Sequence, residues 1–246
     1  MSDIDRPSTA LPGAGAHVIP LRNGAPARKA IVDVVIVTAI FGVALTAGYI
    51  TGATWLGIAS VIFGVGASHV ALRRRGLRWR DMGLGAPRRP LRIMGLAILA
   101  TIGLVVISVV SNAVLNAVFG AQPDLSAFEE LPGNTVFLAQ LLIISWTSAA
   151  FGEEMLFRGF LMNRLHQAFG GTRRAWIVSA TVQAAIFGVG HIYQGPAGAI
   201  SVTFIAMGLV AVYILSGCRL WVTIMAHGLF DTTGFVLFYL GAIPGA

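Results

Sequence analysis

Seven stretches of about twenty apolar residues, the length that crosses a bilayer's hydrocarbon as a helix, follow one another through this chain. They cover 30–50, 54–72, 91–119, 135–152, 175–192, 197–216 and 220–240, the fourth running on into Glu153 and Glu154. Backbone groups in lipid must be satisfied internally, and windows of this length do so as helices. The expected fold is all-α: a polytopic membrane helix bundle of about seven transmembrane helices. Only 11% of the residues are charged, against roughly 25% in soluble domains, which excludes a soluble globular fold. In 246 residues, seven spans leave no room for a second domain. Residues 1–29, rich in Pro, Gly and Ala, are expected to form a disordered cytoplasmic tail. Residues 30–246 form one membrane-embedded domain, with its first span an uncleaved anchor.

The basic residues orient the bundle. They fall in the N-terminal tail (Arg6 to Lys29), in the second connection (Arg73 to Arg92), around the fourth (Arg158 to Arg174) and in the sixth (Arg219). The first, third and fifth connections carry none; the third holds Asp124, Glu129 and Glu130 instead. By the positive-inside rule the N-terminus is cytoplasmic and the C-terminus outside. The net charge of +7 is thereby explained as loop arginine facing anionic lipid, and nucleic acid is not an expected partner. Sixteen of the seventeen basic residues are Arg, the mark of a high-GC coding sequence. The expected location is a cell membrane, multi-pass, of the bacterial inner-membrane type. The single Cys218 excludes an internal disulfide.

Against this apolar background, ionisable side chains inside the spans stand out, because each costs about 2.5–3.5 kcal/mol on insertion scales. Glu154 and Arg158 share a helix face at a spacing of four; so do Phe187 and His191, with Gln183 a turn earlier, and Thr223, His227 and Asp231. Polar faces in lipid turn toward one another, so the three stripes are expected to converge. Adjacent residues on a helix point about 100° apart, so one glutamate faces a substrate while the other does not. Glu154 reaches back to Arg158; Glu153 is left to polarise water with His191. A carboxylate in a low-dielectric setting is a competent general base, and an imidazole at His227 is suited to an oxyanion. Bringing His227 to the depth of Glu153 requires the run 158–167 to protrude about 10 Å into the cytoplasm. Asp33 is expected at the interface near Arg28 and Lys29. His69 and His166 are expected as interhelical hydrogen-bonding groups, and Asn112 and Asn116 as helix–helix glue.

The motifs Glu-Glu-x-x-x-Arg (Glu153–Arg158), Phe-x-x-x-His (Phe187–His191) and His-x-x-x-Asp (His227–Asp231), in this order and each in a span, resemble the CPBP family of CAAX-prenyl and bacteriocin-processing intramembrane proteases, related to the Ras-converting protease. The text around them, Glu-Glu-Met-Leu-Phe-Arg-Gly-Phe-Leu from Glu153 and Leu-Trp-Val-Thr-Ile-Met-Ala-His up to His227, is similar too. The resemblance covers the core 135–240. It implies an intramembrane endopeptidase that cleaves near the cytoplasmic membrane face, acting on a peptide or protein, lipidated substrates included. Carried over, Glu153 and His191 activate water, and His227 and Asp231 stabilise the oxyanion, with Glu154, Arg158 and Phe187 in support. The family has also been described as metalloproteases; zinc on Glu153, His191, His227 and Asp231 is the alternative to the preferred metal-free site. The family's usual Asn in the last motif is Asp231 here. Ionised, it repels an oxyanion, whereas it can orient His227 or ligate a metal. A non-catalytic bacteriocin-immunity or scaffolding protein on the same fold is the alternative function. A proton-coupled transporter is disfavoured because the motif glutamates, histidines and aspartate all follow Thr135, with no symmetry between halves.

Overall fold

The computed structural model describes residues 27–53 and 55–242. Most of the expected tail, 1–26, lies outside the described residues, and Ala27 to Lys29 open the first helix. Among the described residues the structure is helical throughout, with seven long helices: α1 (Ala27–Thr51), α2 (Trp55–Arg74), α3 (Pro90–Phe119), α4 (Thr135–Ala168), α5 (Arg173–Val189), α6 (Gly195–Leu215) and α7 (Leu220–Tyr239). Their ends follow local chemistry. Pro90 opens α3, and Gly120, at φ 61°, closes it. Asn134 caps α4 by accepting the Phe137 N–H at 3.0 Å, and Thr172 caps α5 by accepting that of Ala175 at 3.2 Å.

Six of the seven are long and apolar enough to cross a membrane by length and composition; α5, at 17 residues, is the short one, and the expected bundle of about seven helices stands. Only the bounds of the fifth span change. α5 stops at Val189, where Gly190 leads into a short 3-10 turn (Ile192–Gln194), and a span reaching 192 does not form. It still runs from one end of the bundle to the other, a rise of about 25 Å, because its two connections are held at opposite ends. At one end the 75–89 connection lies against the α6–α7 turn: Leu220 N–H donates to the Gly83 carbonyl at 3.1 Å and Trp221 Nε1 to that of Gly85 at 2.7 Å. At the other, Asp124 N–H donates to the Gln194 carbonyl at 2.8 Å, and Gly133 N–H to that of Tyr239 at 3.0 Å. The arginine-rich connections share the first end, and the arginine-free connections share the second.

Two expectations fail at the arginine end. The run 158–166 does not protrude; every residue in it is buried, and its latter part, from Met162, packs against α1 and α5. Asp33 is likewise no interfacial group. It is buried on α1 and holds Arg75 at 2.8 Å and, on its other oxygen, Arg164 of α4. The reason is the same in both cases: Arg164 loses its solvation in a packed bundle only if it gains a carboxylate, and Asp33 supplies it. His166 stacks on Trp176 with ring centroids 4.1 Å apart, and His69 accepts from Trp79 Nε1 at 3.2 Å.

Within α4, from Ser145 to Leu161, the backbone adopts the wider π-helical register. Such segments are rare and frequent at functional sites. Leu141, Ser145, Ala149, Glu153 and Phe157, spaced by fours, all line one cavity. The Phe157 ring meets Phe41 and Phe187 edge-on, at 5.5 and 4.9 Å, and closes the cavity's floor over the core.

Candidate active site

The cavity has a volume of about 1320 Å³ and is bounded by α1 to α7. Glu153, His191, His227 and Asp231 all line it, so the three motif stripes do meet in one space. Glu154, Arg158 and Gln183 lie behind that surface, fully buried. Thr223 does not join: its hydroxyl donates to the Leu220 carbonyl of its own helix.

Glu154 is the hub of the buried layer. Its Oε1 accepts from Arg158 Nη1 at 2.9 Å and from His227 Nδ1 at 3.0 Å. Arg158 also donates to the Ala206 carbonyl of α6 at 3.1 Å and lies 4.7 Å from the centre of the Phe187 ring. A guanidinium removed from water keeps its charge when a carboxylate, a carbonyl and an aromatic face share it. One arginine thus ties α4, α5 and α6 together beneath the cavity.

Helix termination sets the orientation of His191. Its own N–H turns to the Gly188 carbonyl, leaving the Phe187 carbonyl without the i+4 donor that a continuing helix would provide. The imidazole Nδ1 sits 2.9 Å from that carbonyl. A carbonyl only accepts, so Nδ1 carries the proton and the neutral ring's Nε2 keeps its lone pair. The Phe-x-x-x-His spacing is therefore a helix-end cap made by a side chain. The Phe187 ring stacks on the imidazole at 4.8 Å and fixes its plane.

The last motif is held by α4 at two further points. Ser145 Oγ donates to Asp231 Oδ2 at 2.8 Å, and Trp146 Nε1 to Thr232 Oγ1 at 3.1 Å. Gly228 permits this closeness, since a Cβ there would lie 2.7 Å from the Trp146 ring. Orienting His227 is one of the two tasks that the sequence leaves open to Asp231. The structure gives that task to Glu154: Asp231 Oδ2 is 3.7 Å from His227 Nε2, beyond hydrogen-bonding reach, and its firm bond is to Ser145.

Two polar atoms of the cavity lining have no partner. Glu153 Oε2 and Asn112 Oδ1 are both shielded from solvent and accept no hydrogen bond. Buried polar groups are nearly always paired, so such exceptions call for a functional account. Asn112 and Asn116, expected as helix–helix glue, both line the cavity, and Asn116 accepts from Gln122 Nε2 at 3.3 Å. Sequence reasoning also missed Ser145 and Trp146. Both lie outside the motifs, and no spacing rule connects them to a helix 86 residues away.

Among the described residues no three His, Cys, Asp or Glu side chains come together closely enough to hold one ion as the side chains stand.

Residues 135–233 match the family model described as type II CAAX prenyl endopeptidase Rce1-like. This stretch carries the three motifs, and it contains every site residue named in this subsection except Asn112, Asn116 and Gln122. No curated protein and no solved structure matches the chain. Six helices long and apolar enough to cross a bilayer make this a multi-pass membrane protein, and its segment 135–233 is similar to the Rce1-like type II CAAX prenyl endopeptidases.

Proposed function

We propose that the protein is an intramembrane endopeptidase in which Glu153 is the general base for a hydrolytic water. The observation that carries this reading is the unpartnered Glu153 Oε2 in a large cavity shared with His191, His227 and Asp231. A buried carboxylate oxygen left without a donor is supplied for a ligand that brings one, and water or a peptide N–H does so. The cavity exceeds the roughly 300–1,000 Å³ of small-molecule sites and accommodates several residues of extended chain.

The arrangement supports the following steps. A water donates one hydrogen to Glu153 Oε2 and the other to the lone pair on His191 Nε2. Glu153 takes the proton as the water oxygen adds to the scissile carbonyl carbon, and the carbonyl π pair moves onto its oxygen. His227, anchored through Nδ1 by Glu154 and acting as the imidazolium, presents its Nε2–H to that oxyanion. Collapse restores the carbonyl and breaks the C–N bond; the proton held by Glu153 goes to the leaving amine. Asp231, tethered by Ser145, stays off the oxyanion. Glu154 and Arg158 keep the imidazole of His227 in place without touching substrate. No metal enters this scheme.

The test uses purified protein in detergent with peptides ending in a CAAX sequence, prenylated and unprenylated, and with unrelated peptides. New termini should appear by mass spectrometry with the wild type and disappear with His191→Ala. Folded wild-type protein that cleaves none of them overturns the reading in favour of a scaffolding or immunity role.

A further inference from the structure

The cavity is not central in the bundle. Its floor is formed by Phe157, Phe187 and Leu209, and it extends from there toward one end, where exposed Gly52, Gln122, Ser126, Glu129 and Tyr193 line it. These five belong to the α1–α2, α3–α4 and α5–α6 connections. That is the end whose connections carry no Arg or Lys. The opposite end carries Arg73 to Arg92, Arg173, Arg174 and Arg219, and is sealed by the Asp33–Arg75–Arg164 cluster and the buried run 158–166. Two sequence expectations therefore separate: a cytoplasmic arginine face and a site near the cytoplasmic face belong to opposite ends of one molecule.

We infer that the cavity opens on the extracytoplasmic side of the membrane and takes peptide segments presented from that side, cationic ones preferentially. Arginine bias in short loops sets the orientation of helical membrane proteins, and here it is one-sided over four segments. The rim supplies the charge preference. Glu129 lines the mouth; Asp124 and Glu130 stand beside it with no basic residue in their connection. The Ser126 hydroxyl and backbone N–H hold the Asp124 carboxyl below the usual carboxylate range, so it stays charged wherever the site works. A rim of one sign raises the local concentration of oppositely charged chains. The inference about substrate rests on the endopeptidase reading; the inference about sidedness does not.

Sidedness is measured by labelling with a membrane-impermeant maleimide in intact bacterial cells expressing Gln122→Cys or Arg88→Cys. The native Cys218 is silent in this assay, because it is buried and burial pushes its thiol up to about 11. Gln122→Cys should label in intact cells, and Arg88→Cys only after permeabilisation; the reverse pattern overturns the inference. Substrate side and charge are read in sealed proteoliposomes whose orientation is fixed by the same labels. Protein with its Gln122 end outward should cleave an added Lys-rich peptide at least several-fold faster than a Glu-rich peptide of equal length, and Glu129→Gln should narrow the ratio. Cleavage only when the arginine end faces the peptide, or a ratio of one, overturns the inference and leaves the protease reading intact. Absence of cleavage even in detergent removes the protease reading and the substrate claim with it, while the labels still decide the side.

Discussion

His227 Nδ1 lies 3.0 Å from Glu154 Oε1, a contact that joins the last helix to the glutamate pair on α4. Because the same oxygen accepts from Arg158, the second glutamate is a partner of both motifs that flank it in space. Removing its charge strands a fully buried guanidinium. Breaking a buried pair from one side costs about 3–5 kcal/mol. Glu154→Gln is therefore expected to lower thermal stability in detergent far more than Glu153→Gln, whose Oε2 has no partner to lose. Equal melting temperatures for the two variants would contradict this assignment.

Asp33 makes an analogous prediction at the arginine end. Arg164 is buried, whereas the Arg75 side chain keeps 29% of its surface exposed. Asp33→Ala leaves the buried guanidinium without its carboxylate and should destabilise by about 3–5 kcal/mol. Arg75→Ala should cost no more than about 1 kcal/mol, as an exposed pair would. The check is thermal unfolding of both variants; a larger loss for Arg75→Ala would reverse the ranking.

Gly228 faces the indole of Trp146 with no room for a methyl group. Gly228→Ala should force the ring off Thr232 and cost about 1–3 kcal/mol by overpacking. Tryptophan emission and unfolding temperature should change together. Because Trp146 also neighbours Ser145, the Asp231 tether loosens with it. A fully stable variant with unchanged emission would show that the contact yields easily.

Asn112 places an unpartnered oxygen in the cavity wall. If it accepts a substrate backbone N–H, Asn112→Leu should raise KM with little change in kcat or stability. A loss of about 1 kcal/mol or more in binding is typical of such a bond. A KM equal to wild type with lowered stability would instead make it a structural group.

The bundle and its motifs are legible in the sequence because both rest on short-range rules. Apolar window length gives spans, and i,i+4 spacing alone pairs Glu154 with Arg158 and Phe187 with His191. What is not legible depends on packing between distant segments. The Asp33–Arg164 pair links positions 131 apart, and Ser145–Asp231 positions 86 apart; neither distance has a periodicity to announce it. The π-helical register of α4 is also invisible, since its residues read as an ordinary apolar helix. Ser145 and Glu153 both lie within it and line the same cavity. The depth argument fails for a related reason: it assigns the polar run 158–166 to water, whereas neighbouring helices satisfy its charges internally.

The central claim is that Glu153 holds the catalytic proton while Glu154 and Arg158 hold the site together. The most direct measurement is peptide cleavage and folded yield, side by side, for wild type, Glu153→Gln, Glu154→Gln and Arg158→Ala. Glu153→Gln should fold like wild type and lose cleavage by at least about a hundredfold, the lower range for a general base. The other two should lose folded yield first. A Glu153→Gln protein that cleaves at near wild-type rate, beside a well-folded but inactive Glu154→Gln, would contradict the account.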